Sequence, residues 1–375
     1  MTVAIASGAV ANKAGNGGAT WTRLSWALGL RRLGFDVHFV EQLADACPVG
    51  AVEYFESVMA MFGLAGSSTL LAPGGETLAG LRLTELRELA HESALLLNIS
   101  GHLALHEVKD LAGVRVYVDL DPGFTQMWHA SGTAGARLEG HDFWFTVGEN
   151  IGSEGCLVPD DGIRWRPIRQ PVVLADWPVA DPRPFDRFTT VAAWRGPYGP
   201  VEHAGATYGL KAHEFRRFLP LPARVPAAFE LALDIHPADG KDRAALEEHG
   251  WRLSDAMEAG GDPLRFRRFV QGSAAEFSVA QGIYVHTNSG WFSDRSVRYL
   301  ASGRPVLVQE TGFSRSYPTG EGLVPFTTLD EAVAGVESIL DDYERHCRAA
   351  RRLAEEWFAS DRVLTRLCEE VGVAP

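Results

Sequence analysis

The run Ile283-Tyr284-Val285-His286-Thr287-Asn288-Ser289-Gly290-Trp291-Phe292-Ser293-Asp294 decides the fold of the second half of the chain. Its largely apolar beginning predicts a short buried strand over residues 283–286. The polar residues and glycine that follow predict a loop, and Ser293 is a natural N-cap for a helix over residues 294–301. A strand predicted at residues 305–308 completes a strand, helix, strand unit, which is typical of a parallel sheet.

The same alternation extends through the rest of the second half. Thr328 and Glu331 form a capping box that predicts the start of a further helix. The predicted strands span residues 189–193, 229–235 and 266–270, and the predicted helices span residues 211–219, 241–249, 274–280 and 329–340. This order indicates a doubly wound sheet with helices on both faces.

The first half of the chain has the same character. A strand is predicted at residues 3–7, then a glycine-rich loop, then a helix from about Thr20 that Gly34 ends. Further buried strands are predicted at residues 36–40, 94–99, 114–120 and 143–147. We therefore predict an α/β protein with two doubly wound, Rossmann-like domains that face a cleft.

Prolines at positions 167, 171, 178, 182 and 184 interrupt the alternation, which indicates an extended linker. The predicted organisation is an N-terminal acceptor-binding domain (1–170), a linker (171–187), a donor-binding domain (188–355) and a C-terminal helix (356–375) that packs back on the first domain. Ligands of such sheets bind beyond the carboxyl ends of the strands.

Composition narrows the classes of partner. The 375 residues include 35 Lys and Arg and 48 Asp and Glu, a formal net charge of −13 with histidine neutral. This balance argues against nucleic acid and anionic membranes as partners. No window approaches the roughly 20 apolar residues of a membrane span, so we expect a cytoplasmic protein. Four scattered cysteines without a CxxC pair offer neither a zinc knuckle nor a disulfide framework.

Two sets of residues in the second domain could bind an anion. The backbone amides at the start of the helix that Ser293 caps would point at the sheet edge, and Arg295 could bond a phosphate there. Arg195 and Lys211 flank the loop that opens this domain and could neutralise a diphosphate. The alternative for each cation is an ordinary solvated surface charge.

Three segments of the first domain could face a ligand. Asn16, Gly17 and Gly18 precede a helix, either as a tight turn or as an acceptor-facing loop. Asp121 follows a strand and is placed at the rim by Pro122-Gly123, so it could take a proton from a bound hydroxyl. His102 follows another strand and is the second candidate base. An Asx-turn for Asp121 and a half-buried structural role for His102 are the alternatives.

From Phe269 onward, the order of elements resembles the donor-binding domain of the GT-B glycosyltransferases of the family 1 and family 4 type. The segments that carry the resemblance are Phe269-Val270-Gln271-Gly272, the run quoted above, Ala301-Ser302-Gly303-Arg304-Pro305-Val306 and Gly320-Glu321-Gly322-Leu323-Val324. The resemblance implies that Gln271 and Gly272 line the base. It also implies that the amides of Phe292, Ser293 and Asp294 meet the diphosphate, in the loop that holds Ser289 and Gly290. Thr311 and Gly312 would then lie near the sugar.

One departure from the family concerns its retaining members, many of which carry two glutamates with seven residues between them. Gly290 and Arg298 stand at those positions here. The resemblance therefore leaves the stereochemistry open, and it implies that an inverting reaction could use Asp121 or His102 as its base.

The function predicted from these observations is the transfer of a sugar from a nucleotide diphosphate to a small-molecule acceptor, such as an aromatic natural product. No metal or other cofactor is expected, and Asp119-Leu120-Asp121 is interpreted as a strand end. A nucleotide-sugar epimerase and a non-catalytic nucleotide or sugar binder are the alternatives. A homodimer is left open.

Overall fold

The computed structural model describes residues 1–45, 47–133 and 135–375, which form two compact units. Unit 1 comprises Met1–Val147, Pro159–Val173 and Ser360–Pro375, and unit 2 comprises Gly148–Val158 and Leu174–Ala359. None of the helices in these described ranges has the length and apolar content that a membrane crossing needs.

Unit 1 is built on an eight-stranded sheet. Its strands are β1 (Val3–Ser7), β2 (Asp36–Gln42), β3 (Ser68–Leu71), β4 (Thr77–Ala79), β5 (Leu95–Ile99), β6 (Val114–Asp119), β7 (Phe143–Thr146) and β8 (Trp165–Pro167). They lie in the order β4-β3-β2-β1-β5-β6-β7-β8, and all neighbours are parallel except β3 and β4. The central strands are buried on both faces, as expected of a parallel sheet covered by helices.

The helices of unit 1 are α1 (Gly17–Leu33), α2 (Ala51–Met61), α3 (Leu83–Glu92), α4 (His106–Lys109) and α5 (Phe124–Ala130), with the last helix of the chain, α15 (Ser360–Val371). Helix α1 begins after Asn16, whose side chain accepts a hydrogen bond from the Ala19 amide, and ends at Gly34 in the left-handed region. Gly29 leaves room for Leu364 where α1 and α15 pack together. The C-terminal helix therefore belongs to the N-terminal unit.

Unit 2 contains a six-stranded sheet and a hairpin. The strands are β9 (Arg187–Ala193), β10 (Val201–His203), β11 (Ala206–Tyr208), β12 (Ala228–Asp234), β13 (Arg252–Ser254), β14 (Ala275–Ser278), β15 (Val306–Gln309) and β16 (Leu323–Phe326). The sheet has the order β13-β12-β9-β14-β15-β16 and is parallel throughout, while β10 and β11 form the hairpin.

The helices of unit 2 are α6 (Lys211–Phe215), α7 (Leu221–Arg224), α8 (Gly240–Glu248), α9 (Ala256–Gly260), α10 (Pro263–Gln271), α11 (Gly282–His286), α12 (Asp294–Ala301), α13 (Leu329–Asp341) and α14 (Tyr343–Leu353). Phe277 of β14 lies at the centre of an aromatic cluster, stacked on Phe326 at 5.2 Å and in contact with Phe229 and Trp251. Phe229, Phe277 and Phe326 come from the strands β12, β14 and β16, and Trp251 packs against the first two. This aromatic cluster is therefore a main part of the core of unit 2.

Three element predictions between residues 263 and 286 are wrong. The predicted strand at 266–270 is helix α10, because Asp262 caps it, Pro263 occupies its first turn, and Phe266 and Val270 share its buried face. The predicted helix at 274–280 is strand β14, a run that is buried on both faces. The predicted strand at 283–286 is the short helix α11. Short apolar runs of this length do not distinguish a buried helix from a buried strand.

The units also depart from the predicted domain boundaries. Residues 148–158 belong to unit 2, where the Asn150 and Leu157 amides donate to the carbonyls of Ser289 and Thr287. Residues 174–187, predicted as part of an extended linker, also belong to unit 2. Within it, Trp177 is fully buried and its ring packs edge-on to Phe266 at 6.2 Å. Because Trp177 is buried, this proline-rich segment packs against unit 2 and is not an extended linker.

Candidate functional site

The candidate site of unit 2 lies where β9 and β14 end. From β9 the strand order runs through β12 to β13, whereas from β14 it runs the other way through β15 to β16. Neighbouring strands whose connections diverge in this manner leave a crevice at their carboxyl ends, which is where open α/β sheets bind ligands. The residues that follow β9, β14 and β15 are therefore the first to consider.

Helix α12 begins at this edge with unsatisfied hydrogen-bond donors. Ser293 is its N-cap in extended conformation, and its side chain forms no cap bond. The amides of Arg295 and Ser296 have no acceptor among the residues that the structure describes. The buried Ser296 hydroxyl also lacks a partner within the described ranges. Because a helix N-terminus attracts negative charge, this end of α12 is suited to an oxyanion.

Lys211, the first residue of α6, places an ammonium near the same strand ends. Its side chain is half-buried and makes no hydrogen bond or salt bridge with the described part of the chain. Burial, followed by the positive charge of Arg295, lowers its pKa to about 7. Lys211 and Arg295 line the same small cavity, together with Thr190, Ser278 and Phe215. An anion bound at this edge would gain a direct partner in Lys211.

Arg295 has a different role from the one predicted. Its Nε donates to Glu276 at 2.6 Å, its Nη1 to the Val191 carbonyl at 2.9 Å and its Nη2 to the Ser278 hydroxyl at 2.5 Å. The Glu276 side chain is 0% exposed and that of Arg295 is 14% exposed. Each guanidinium nitrogen thus donates a hydrogen bond to a residue of β9 or β14. Arg295 therefore stabilises the sheet edge and gives it positive charge, but it has no pair of free donors to offer a phosphate.

Arg195 also departs from the prediction. It follows β9, but its exposed guanidinium forms a bidentate pair with Asp239, with both nitrogen–oxygen distances at 2.8 Å. This pair raises the pKa of Arg195 and lowers that of Asp239. The two predicted cations therefore differ: Arg195 is paired with a carboxylate, whereas Lys211 has no partner among the described residues.

The loop after β15 is closed on itself. The Glu310 carboxylate accepts the amides of Thr311 at 3.0 Å and Gly312 at 2.6 Å. The Thr311 hydroxyl donates to the Trp291 carbonyl at 2.5 Å, and the Gly290 amide donates to the Thr311 carbonyl at 2.7 Å. Thr311 and Gly312, which were predicted to lie near the sugar, thus shape the loop, and their amides are bonded to Glu310.

The predicted loop residues nearby are also largely structural. The Ser289 side chain is fully buried and its hydroxyl donates to the Tyr284 carbonyl at 3.3 Å. The Phe292 ring is buried and stacks on Phe358 at 5.3 Å. Phe292 can contribute its backbone at the edge, but its aromatic ring belongs to the core.

Asn150, which follows the strand predicted at residues 143–147, fastens this loop. Its side-chain amide donates to the carbonyls of Asn288 at 3.0 Å and Gly312 at 3.1 Å. A β-carbon on Gly312 would overlap both asparagine side chains, and Gly312 has a φ of +96°. The close approach and the left-handed backbone together require glycine there. The distant sequence position of Asn150 gave no signal of this contact.

Gln271 and Gly272 lie away from these residues. They end α10 and precede β14, so they are at the amino end of that strand. The Gln271 amide donates to the Pro178 carbonyl at 3.1 Å, and Gly272 accepts a hydrogen bond from Arg183. The resemblance implied that these two residues line a nucleotide base, whereas the structure places them at the opposite end of β14 from Lys211 and the start of α12.

A second group missed by the sequence reasoning surrounds Glu214 of α6. Its carboxylate accepts hydrogen bonds from Arg217 at 2.6 Å, His286 at 2.7 Å and Gln309 at 2.8 Å. Burial alone would raise the pKa of Glu214, but these three hydrogen bonds lower it overall. The network fixes α6, and with it Lys211, against β15 and α11.

In unit 1, the predicted base candidates follow β5 and β6. Asp121 is half-buried, and its amide donates to Asp119 at 3.0 Å. His102 is half-buried, and burial followed by the charges of Arg23, Lys13 and Arg137 lowers its pKa to about 3. Asn16 caps α1, so Gly17 and Gly18 form the first turn of that helix rather than a loop. Lys13 and Arg23 were not among the predicted residues.

Asp119 fastens the end of β6 through its side-chain hydrogen bonds. It is fully buried and accepts hydrogen bonds from Thr125 and Thr146 at 2.7 Å and from Gln126 at 2.8 Å. Burial raises its pKa. Across the described ranges, His, Cys, Asp and Glu side chains form no group of three that could hold a metal ion.

No protein-family model matches the chain, and no curated protein matches it in sequence. Solved structures match over nearly its whole length. The HepE protein of Anabaena, in complex with UDP and glucose, has a TM-score of 0.58 at 10% identity and covers 99% of this chain and 100% of its own. AviGT4, a glycosyltransferase involved in avilamycin A biosynthesis, has a TM-score of 0.57 at 14% identity over 99% and 97% of the two chains. The chain has the GT-B fold.

The GT-B fold is not restricted to one reaction among these matches. A putative UDP-N-acetylglucosamine 2-epimerase from Listeria monocytogenes matches with a TM-score of 0.50 at 14% identity, over 99% of this chain and 97% of its own. The predicted fold class and the resemblance to GT-B glycosyltransferases are confirmed, and the reaction has to be argued from the site.

Proposed function

We propose that the chain is a glycosyltransferase that takes a sugar from a nucleotide diphosphate, with the diphosphate bound at the carboxyl edge of unit 2. The observation that carries the proposal is the Lys211 ammonium, which has no partner among the described residues, at the strand ends where the Arg295 and Ser296 amides of α12 also find no acceptor within that part of the chain. The GT-B fold supports it, because HepE was solved with UDP and glucose and AviGT4 is a glycosyltransferase.

The proposed chemistry is a displacement at the anomeric carbon of the sugar. A base accepts the proton of the acceptor hydroxyl, the oxygen forms the new bond to that carbon, and the bond to the diphosphate oxygen breaks with its electron pair. The leaving diphosphate gains negative charge, which Lys211 and the first amides of α12 would stabilise. Arg295 would act as a positioning residue that adds positive potential without direct contact.

The base would come from unit 1. Asp121 remains the first candidate, because it is half-buried and follows β6. Burial and the charge of Arg23 lower the pKa of Lys13, and the nearby Asp121 carboxylate partly opposes this lowering. A carboxylate placed within hydrogen-bond reach of the acceptor hydroxyl can accept its proton. His102 is the second candidate; its lowered pKa keeps it neutral but makes it a weak base.

The alternative with a specific observation in its favour is a nucleotide-sugar epimerase, because the Listeria epimerase shares the fold over both chains. An epimerase needs no acceptor. The two proposals therefore differ in whether turnover requires a second substrate.

The test is an incubation of the full-length chain with UDP-, TDP-, GDP- and ADP-sugars, with and without a panel of small hydroxylated acceptors, followed by mass spectrometry. A glycosylated acceptor and free nucleoside diphosphate are expected, in the presence of EDTA as well as in its absence. Conversion of the nucleotide sugar without acceptor would establish the epimerase instead. Nucleotide binding without turnover across the panel would contradict both. Loss of transfer on adding EDTA would contradict the metal-independent step.

A further inference from the structure

Unit 1 has a cluster of positive charge at the carboxyl ends of β1 and β5 that forms no ion pair with the described residues. These strands are neighbours, and the strand order diverges from them, through β2 and β3 on one side and through β6 and β7 on the other. The cluster consists of Lys13, Arg23 and Arg137, arranged around His102. The edge is therefore the switch point of the first sheet, as the Lys211 region is of the second.

Arg23 is the central member. Its side chain leaves α1 across Gly8, where a β-carbon would lie 2.8 Å from its Cγ, and beside Ile99 at the end of β5. Arg23 is only 8% exposed, and its Nε is buried without a hydrogen-bond partner among the residues that the structure describes. Its one hydrogen bond, from Nη1 to the Ala19 carbonyl, is long at 3.4 Å. Within the described ranges, no carboxylate forms a hydrogen bond or a salt bridge with the Arg23 guanidinium.

The neighbouring groups do not neutralise Arg23. Lys13 is half-buried and forms no hydrogen bond within the described part of the chain. Arg137 packs on Gly101, where a β-carbon would lie 2.7 Å from the Arg137 Cβ. The charges of these cations act together on His102 and lower its pKa, as does burial. The negative charge of Asp121 lies near Lys13 and partly opposes the lowering of the Lys13 pKa that burial and Arg23 cause.

This arrangement is unusual for a chain that carries 48 acidic and 35 basic residues. Acidic side chains are abundant, yet a nearly buried guanidinium is left with one weak hydrogen bond. Buried cations are normally paired, because removing an ion from water without a partner is unfavourable. The amides of Gly17 and Gly18, at the start of α1 on the same edge, also have no acceptor among the described residues.

We propose that the acceptor substrate carries an oxyanion, a carboxylate or a phosphate, which binds unit 1 between Lys13, Arg23 and Arg137. The inference rests on the proposed function, since it names the class of acceptor for that reaction. A guanidinium with free donors binds either oxyanion by paired hydrogen bonds, and the adjacent ammonium adds charge. The bound group would orient the acceptor so that its hydroxyl meets Asp121.

The test uses the full-length chain saturated with UDP, so that the proposed nucleotide site is filled. Thermal unfolding is followed while inorganic phosphate or benzoate is added at constant ionic strength, with potassium chloride as the ion control. We expect at least one of the two anions to raise the melting temperature in a saturable manner. A response to phosphate alone or to benzoate alone identifies which oxyanion the site accepts.

The variants Arg23→Gln and Lys13→Gln should weaken this anion binding by about tenfold or more, the usual scale for loss of a charged hydrogen bond. Arg32→Gln is the matched control, because Arg32 is an exposed arginine on the same helix. If Arg23→Gln fails to fold, Lys13→Gln and the exposed Arg137→Gln decide the question.

The proposal is overturned if neither anion gives a saturable shift, or if the Lys13 and Arg137 variants bind the anions as the wild type does. UDP binding in that case leaves the proposed function intact. Conversely, anion binding that the variants abolish, in a chain that binds no nucleotide, would support the oxyanion site and contradict the proposed function.

Discussion

Arg295 and Glu276 form an ion pair beneath the carboxyl edge of unit 2, with 2.6 Å between Nε and Oε1 and with Glu276 fully buried. The second carboxylate oxygen of Glu276 is buried and has no hydrogen-bond partner among the described residues. The pair links α12 to β14, while the other guanidinium nitrogens reach β9 and the end of β14. It therefore holds together the elements that carry the proposed nucleotide site.

Breaking this pair should destabilise unit 2. Arg295→Met and Glu276→Gln each leave a buried polar group without its partner, so we expect each to lower the free energy of unfolding by about 3–5 kcal/mol. The double variant Arg295→Met/Glu276→Gln should cost less than the sum of the two single variants, because no charge is then left alone. Hydrogen exchange of the β14 amides in rising urea measures this. Single variants that cost less than about 1 kcal/mol would show that the pair does not brace the edge.

We expect Lys211 to lower the stability of the folded chain and to strengthen its binding of nucleotide. At neutral pH its buried ammonium is unfavourable in the folded chain, so Lys211→Met should raise the melting temperature while weakening nucleotide binding. Lys241→Met, which removes an exposed lysine from α8 in the same unit, is the control and should change neither property. A less stable Lys211→Met variant would indicate that the ammonium has a structural partner.

The pH dependence of that gain follows from the lowered pKa of Lys211. Between about 7 and 10.5, the unfolded chain binds a proton at this residue that the folded chain does not. The wild type therefore gains stability relative to Lys211→Met as pH rises through this window, so the advantage of the variant is largest at or below pH 7. Melting temperatures of both proteins at pH 7 and pH 9.5 test this. A constant difference would contradict the lowered pKa.

Three imidazoles should make unit 1 sensitive to acid. Burial lowers the pKa of His38 and of His141 to about 4 and contributes to lowering that of His102 to about 3. The unfolded chain takes up protons at these residues below pH 6.5, whereas the folded unit does not until near pH 4. Its stability should thus fall as pH drops through this range.

Replacement of one buried imidazole should reduce this slope. His38→Asn is expected to reduce it by up to about 1.4 kcal/mol per pH unit, the value for one proton. His106→Gln changes an exposed histidine of the same unit and should leave the slope unchanged. Urea midpoints measured between pH 4 and pH 7 give the slopes, and equal slopes in wild type and His38→Asn would refute the assignment.

Asp121 should matter for transfer and not for nucleotide affinity. Asp121→Asn removes the carboxylate that would accept the acceptor proton, so we expect transfer to fall by about 100-fold or more. Turnover at the wild-type rate in this variant, with His102→Ala inactive, would move the role to His102. Full activity in both variants would favour a route that uses no base from unit 1.

The sequence predicted local features better than partners. Gly34 ends α1 in the left-handed region, and Thr328 with Glu331 forms the capping box of α13, because such signals depend on residues a few positions apart. The run over residues 263–286 was misassigned because its short apolar segments suit a buried helix as well as a buried strand.

Only the part of the candidate site that depends on local signals could be predicted from the sequence. The start of α12 could be located from Ser293 alone. The pairing of Arg195 with Asp239, by contrast, joins residues 44 positions apart on different elements. Without knowledge of which strand ends are neighbours, Arg195 and Lys211 are equivalent cations, and only the fold distinguishes the paired one from the unpaired one.

The most direct test of the account is calorimetric titration of the full-length chain with UDP-glucose at pH 8, in two buffers of different ionisation enthalpy. We expect binding with proton uptake, because the diphosphate raises the pKa of Lys211 from about 7. Lys211→Met should lose the proton uptake and bind at least about tenfold more weakly, while Lys241→Met should behave as the wild type does. Binding with the same affinity and the same proton uptake in Lys211→Met would contradict the placement of the diphosphate at this edge. An absence of binding to every UDP-, TDP-, GDP- and ADP-sugar would contradict the function itself.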